Sequence, residues 1–283
     1  MNYRHAYHAG NHGDVLKHIV LSRVLGYLRA KDKPFAVLDA HAGIGAYDFS
    51  GTEAGKTNEW QDGIGKLLNA EVPMALRALL SPYLDIVAAM NADEQVQHYP
   101  GSPEIALRMT RLTDRLILNE LHPQDRETLG RRYDMYRRVR VTGVDALQAV
   151  KAALPFAEKR GLVLIDPAFE VEDETARVAE MVAQGLRRMA HAVFLIWYPV
   201  TTQEFADEFC AAIAGCGASG ILHAELLVKQ PHAQGGLAGS GVIIINPPWL
   251  LHDELQLLLP FLGRLLGNGK WGRGSVSWLT PPR

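Results

Sequence analysis

Two apolar stretches of this chain each run directly into residues able to do chemistry. Phe35-Ala36-Val37-Leu38 leads into Asp39-Ala40-His41-Ala42-Gly43-Ile44-Gly45, and Gly161-Leu162-Val163-Leu164-Ile165 leads into Asp166-Pro167-Ala168-Phe169. Gly43 and Gly45 let a ligand approach the backbone closely, because glycine lacks a Cβ and tolerates positive φ. The second stretch offers a carboxylate (Asp166), a carbonyl (Pro167) and a flat ring (Phe169) at one point. That set suits an amino group on a planar base. Such an amine is a poor nucleophile, since its lone pair is delocalised into the ring. It needs acceptors for its hydrogens and alignment with an electrophilic carbon, and an aromatic side chain can stack on the base. Alkylation then makes the nitrogen acidic, so Asp166 or water can take the proton. Together the two motifs point to methyl transfer from S-adenosylmethionine to a nucleobase nitrogen, a reaction that requires neither a metal nor a covalent intermediate.

Further acids fall where a cofactor would meet them. Ligands in open α/β sheets bind at the carboxyl ends of the strands. Asp39, His41 and Gly43 occupy that place after the first strand, and Glu120 closes the strand Arg115-Leu116-Ile117-Leu118-Asn119. An acid there can accept from both ribose hydroxyls. Asp145 follows the strand Val139-Arg140-Val141-Thr142, where an acid can hold the exocyclic amine of adenine. Lys17 and His18 are suited to the carboxylate end of the cofactor or to a phosphate. His5, His8 and His12 crowd the same region, but His8 and His12 are the only pair spaced i, i+4, with no zinc-protease motif around them, so no metal site is read there.

Those residues need a sheet to hold them. Strand patterns fall at 115–119, 138–142, 161–166, 192–198, 221–228 and 241–246, after the first at 35–38. Helical patterns at 102–112, 123–136, 145–154, 172–190 and 202–214 separate most of them, and 11–31 reads as a helix ahead of the first strand. Alternating strands and helices predict an α/β fold with a mostly parallel seven-stranded sheet, of the Rossmann-like S-adenosylmethionine-dependent methyltransferase kind. The last two strands are joined by a short link, so the seventh is expected to insert antiparallel. Residues 50–100 read as a helical insertion, broken at Pro73 and Pro82, within a single domain spanning 1–283.

The composition bounds the alternatives. The chain has 283 residues, 48% of them hydrophobic, with 29 basic against 31 acidic side chains. Near-neutral charge disfavours a purely electrostatic nucleic-acid binder. Cys210 and Cys216 form no Cys-x-x-Cys pair, which suggests reduced thiols and a cytoplasmic protein. No run approaches the ~18 apolar residues that cross a bilayer. Arg126, Arg131, Arg132, Arg137, Arg138 and Arg140 form the densest basic run, either a solvated face or a grip on RNA phosphates. The glycine-rich loop 229–236 is long enough to close over a substrate, or is a loose connection. Asn246-Pro247-Pro248-Trp249 also matches an amino-methyltransferase pattern, but it follows the seventh strand rather than the fourth. It is expected to end a strand, with Trp249 packed.

Several words in the chain resemble one family closely: Tyr3-Arg4-His5, His8-Ala9-Gly10-Asn11-His12, Asp14-Val15-Leu16-Lys17-His18, Lys31-Asp32-Lys33-Pro34-Phe35, Tyr99-Pro100-Gly101-Ser102-Pro103, Glu120-Leu121-His122-Pro123 and Trp197-Tyr198-Pro199. The family is that of the bacterial 23S ribosomal RNA adenine N6-methyltransferases, once assigned to catabolism of external DNA. The resemblance implies a monomer that adds one methyl group to one adenine of 23S rRNA, on protein-free RNA or an early assembly intermediate. It implies cofactor contacts at His18, His41, Ser102, Glu120 and Asp145, a catalytic acid at Asp166, and a substrate-positioning tyrosine at Tyr3. The chain departs from the family's Asp-Pro-Pro-Tyr at Ala168 and Phe169, and from its Asp-Gly at Ala146, which sits beside the adenine pocket. Two other functions compete: a DNA adenine N6-methyltransferase, and a nucleic-acid-binding protein of DNA uptake.

Overall fold

A computed structural model describes residues 7–50, 58–91, 96–231 and 236–282. The chain opens with α1 (His12–Arg29), β1 (Ala36–Asp39) and β2 (Ala46–Asp48), then a π-helical turn (Gln61–Gly65) and α2 (Met74–Ala89). It continues through β3 (His98–Pro100), α3 (Ser102–Met109), β4 (Arg115–Asn119), α4 (Pro123–Tyr133), β5 (Val139–Thr142), α5 (Ala146–Ala153) and β6 (Gly161–Ile165). It ends with α6 (Glu174–Arg188), β7 (Val193–Val200), α7 (Gln203–Ala214), β8 (Ile221–Leu227), β9 (Gly239–Ile245), α8 (Leu251–Leu266) and β10 (Arg273–Thr280).

The main sheet runs β10-β8-β9-β7-β6-β1-β4-β5. Pairs β5–β4, β4–β1, β1–β6 and β6–β7 are parallel. β9 inserts antiparallel between β7 and β8, as the short link between the last two predicted strands requires. The sheet has eight strands rather than seven. The extra one, β10, pairs antiparallel with β8 and closes that edge. The chain leaves β1 for β4 and β5 on one side and returns through β6 and β7 on the other. The crevice between β1 and β6 is therefore the switch point where ligands bind in such sheets.

Period-two alternation sends strand side chains into two cores, which is why the strands read as unbroken apolar runs. Val37, Leu116, Leu162 and Leu195 face α1 and α8, whereas Leu38, Ile117, Val163 and Phe194 face α5, α6 and α7. Helix α1 is capped by Asn11, whose Oδ1 accepts from the Gly13 and Asp14 N–H groups at 2.9 and 3.2 Å. It is buried on almost every side, Asp14, Lys17 and His18 included. A helix so enclosed has to pair its polar groups internally. Pro82 does not break α2 as the sequence predicts. Leu80 and Tyr83 are fully buried beside it, and that packing carries the helix past one missing N–H.

Asn246-Pro247-Pro248-Trp249 ends β9, as expected, with Asn246 at φ 55° donating to the carbonyls of Ala190 and Ala192. Because β9 is antiparallel, its end lies opposite the tips of the parallel strands. Trp249 does not pack there: it is 75% exposed. The arginine run is partly engaged within the fold: Arg138 donates to Thr110 and the Leu107 carbonyl, and Arg126 to the Gly143 carbonyl, whereas Arg131 pairs with Glu127 on the exposed face of α4. Among the described residues no helix is long and apolar enough to cross a membrane.

Leu38 is fully buried in the strand that leads to the glycine turn. Leu38→Ala is expected to lower unfolding stability by about 2–5 kcal/mol, read as a fall in the urea midpoint at unchanged slope.

Candidate active site

A cavity of about 340 Å³ opens at the tips of β1, β4, β5 and β6. That lies within the ~300–1,000 Å³ usual for small-molecule sites. Lys17, His18, His41, Gly43, Ser102, Glu120, Asp145, Ala146, Asp166 and Pro167, all singled out in the sequence, line it together.

The strand tips are tied by side chains. Asn119 donates to the carbonyls of Ala40 and Val144 and accepts from the Thr142 hydroxyl, so one residue joins β1, β4 and the turn after β5. Gly43, at φ 59°, turns its N–H onto Glu120 Oε2 at 2.8 Å, while the His122 N–H reaches Oε1 at 2.8 Å. A Cβ on Gly43 would stand 2.7 Å from the Tyr47 hydroxyl. Burial raises the Glu120 carboxyl above its ordinary range, against those two N–H bonds. Both oxygens are thus oriented by backbone N–H groups on a residue that lines the cavity.

Asp39 is placed otherwise than the sequence suggests. It does not line the cavity. Its carboxylate lies beneath the wall, accepting from the Ser102 hydroxyl at 2.6 Å and the His41 N–H at 3.2 Å. Burial pushes it up to about 7 despite both bonds. It fixes the two residues above it. Asp145 lines the cavity, but its Oδ1 caps α5 through the Leu147 N–H and its Oδ2 pairs with Arg177 at 2.8 Å. Arg177, on α6, also lines the cavity, and nothing in the spacing of the two marks them as partners.

The Asp166 end is held by two residues, His41 and Lys17. His41 Nδ1 accepts the Asp166 backbone N–H at 3.2 Å, which requires that nitrogen to be unprotonated. Burial supplies that state by lowering His41 to about 4. Lys17 Nζ bridges Asp14 Oδ1 at 2.7 Å and Asp166 Oδ2 at 2.5 Å. Burial works against the ammonium, but the two carboxylates outweigh it and hold Lys17 protonated. His18 Nδ1 meets the Tyr99 hydroxyl at 2.8 Å, while its Nε2 lies 3.9 Å from Asp14 Oδ1 of the bridge. Tyr3 lies outside the described residues.

A second chamber of about 360 Å³ adjoins the first. Lys17, Asp166 and Ala168 line both, so this wall separates the two. His8, Asn11, Asp14, Glu59, Phe169, Trp197, Pro199, Thr201 and Leu237 contribute the rest of it. Phe169 holds φ 53°, which is unusual for a bulky residue. Its ring is seated edge-on against Trp197, Phe205 and Phe209, with centroids 5.6–6.1 Å away.

Comparison with known proteins is specific. The family model described as Ribosomal RNA large subunit methyltransferase D, RlmJ, matches residues 32–280. The Ribosomal RNA large subunit methyltransferase J proteins of Escherichia coli K12 and Haemophilus influenzae are each 38% identical, over 99% of this chain and 99% of their own. The crystal structure of protein LPL1258 from Legionella pneumophila superposes with a TM-score of 0.85 at 32% identity, covering 95% of this chain and 97% of that one.

The buried histidines and His8 should differ in solution. Burial lowers His12, His41 and His223 to about 4, whereas the hydrogen bond to Glu59 raises His8 above its ordinary value. Histidine-labelled NMR is expected to show the first three neutral at pH 5.5 and His8 titrating above about 6.5. A His41 that titrates like a free imidazole would contradict the bond to Asp166.

Proposed function

Because the chain belongs to the RlmJ family of ribosomal RNA large subunit methyltransferases, we propose that it transfers one methyl group to the N6 amino group of an adenine in 23S ribosomal RNA. The coarser activity, S-adenosylmethionine-dependent methylation of large-subunit rRNA, follows from family and fold. The adenine and its N6 position are the finer reading. The observation that carries it is the shared wall: Asp166 borders both the cavity at the strand tips and the aromatic chamber behind Phe169.

The first cavity fits S-adenosylmethionine on its own chemistry. Glu120 presents two pre-oriented oxygens to the ribose diol, and Asp145 with Ala146 stands where adenine would lie. Gly101 and Ser102, at the start of α3, suit the carboxylate of the amino-acid end, with Lys17 adding positive charge. When bound, the cofactor supplies an electrophilic methyl carbon.

The chain's own residues do the rest. Lys17 occupies Asp166 Oδ2, leaving Oδ1 to accept one hydrogen of the target amine. The Pro167 carbonyl is the second acceptor. Both acceptors draw electron density onto the nitrogen only while the amine is held in line, which is catalysis by alignment and fixed dipoles. The methylated nitrogen is strongly acidic, so the Asp166 carboxylate or water can take its proton. Phe169 offers an apolar ring to the base without the hydroxyl of the family's tyrosine, which stacking does not use. The reading keeps Tyr3 as a substrate contact, the protein as a cytoplasmic monomer, and protein-free or early-assembly 23S rRNA as the preferred form.

The test is methyl incorporation into protein-free 23S rRNA and into duplex DNA, followed by nucleoside mass spectrometry. N6-methyladenosine from rRNA alone is expected. Asp166→Ala is expected to bind the cofactor normally and to lose about a hundredfold or more in turnover. Methylation of another atom, of DNA in preference, or full activity of Asp166→Ala would contradict the reading.

A further inference from the structure

We infer that Glu59 is a positioning residue for the acceptor half of the reaction. Standing in the 50–100 insertion, it holds the amino-terminal segment, and through that segment the Asp14–Lys17–Asp166 bridge, against the second chamber. The inference rests on the reading above that this chamber receives the target base.

The contacts form an unbroken path. Glu59 Oε1 meets His8 Nδ1 at 3.0 Å, and Glu59 Oε2 accepts from Asn11 Nδ2 at 3.0 Å. The other end of the Asn11 amide caps α1 through the Gly13 and Asp14 N–H groups. Asp14 Oδ2 accepts the Gly10 N–H at 2.9 Å, and its Oδ1 holds Lys17, which holds Asp166. Asp14 is thus fixed from two sides by the segment that Glu59 grips. Burial pushes the Glu59 carboxyl up, but the bonds from His8 and Asn11 outweigh it and keep it below its ordinary range, while Glu59 raises His8. Each side chain favours the charged form of the other.

The insertion also grips the segment through its backbone. The Ile64 N–H donates to the Gly10 carbonyl at 2.8 Å, and a Cβ on Gly63 would lie 2.0 Å from that same oxygen. Gly10 itself, at φ 80°, fits against the stacked rings of Phe49 and Trp60, where a Cβ would meet Phe49 at 2.8 Å. His8, Asn11 and Glu59 all line the second chamber and none lines the first. This asymmetry is what sets a positioning role apart from a general structural one. Disturbing Glu59 should move the wall the two chambers share, while Glu120, Ser102 and Asp145 on the cofactor side stay held by their own partners, and a displacement of about 1 Å at that wall is enough to slow transfer by up to ~10²-fold.

The test uses the full chain with Glu59→Gln, Glu59→Ala, Glu59→Asp and His8→Gln. Cofactor affinity is read by calorimetry, steady-state kinetics on protein-free 23S rRNA, and thermal unfolding on each variant. Glu59→Gln and Glu59→Ala are expected to keep the cofactor Kd within about twofold while kcat falls about tenfold or more. Glu59→Asp should recover part of that loss, and His8→Gln should show a smaller fall of the same kind. Unchanged kcat in Glu59→Gln would overturn the inference, as would a fall in cofactor affinity or unfolding temperature that accounts for the lost rate. A wild-type protein that methylates no adenine would defeat the functional reading itself, and this inference with it.

Discussion

A single buried ammonium ties the site together. Lys17 stands between Asp14, on its own helix, and Asp166, at the tip of β6. Charges removed from water persist only when paired and hydrogen-bonded, and removing one partner of such a bridge costs ~3–5 kcal/mol. The bridge therefore fixes the distance between α1 and the strand tip. It also sets which oxygen of Asp166 is occupied, Oδ2. The neutral imidazole of His41 holds the same residue by its backbone, from the other side. Asp166 is thus located by contacts to two separate elements before any ligand arrives, which is the preorganisation that alignment catalysis needs.

The wall carrying Asp166 lies between two chambers with different linings. The cofactor side is built of strand-tip acids and glycine turns joined through Asn119 and Asp39. The second chamber is aromatic, with Phe169 seated against Trp197, Phe205 and Phe209. The parallel half of the sheet makes the first chamber. The amino-terminal segment, the 50–100 stretch and the loops after β6 and β7 make the second.

Much of the donor side was legible in the sequence, because an apolar run that ends in Asp, Glu or a Gly-x-Gly turn marks a strand tip by itself. Asp166, Glu120, His41 and Gly43 were readable on those terms. Asp39 was misread as a contact, since an acid at a strand tip looks the same whether it faces a ligand or a buried Ser102 on a helix further along the chain. The partnership of Asp145 with Arg177 had no local signal, because the two residues lie on elements separated by β6. Helix α8 and strand β10 went unread: Pro260 interrupts the one, and Gly272 and Gly274 dilute the alternation of the other. Glu59 gave no hint, being a lone acid in a polar stretch whose partners are all supplied by folding.

The account is tested most directly by the structure of the protein bound to a bisubstrate compound, adenosine joined through its N6 nitrogen to the donor's methyl-bearing end. The account predicts the donor portion among Glu120, Gly43 and Asp145, the acceptor adenine beside Phe169 in the second chamber, and the linking nitrogen within about 3 Å of Asp166 Oδ1, with Lys17 still on Oδ2. An acceptor base seated away from that chamber, or a linking nitrogen with no contact to Asp166, would contradict it.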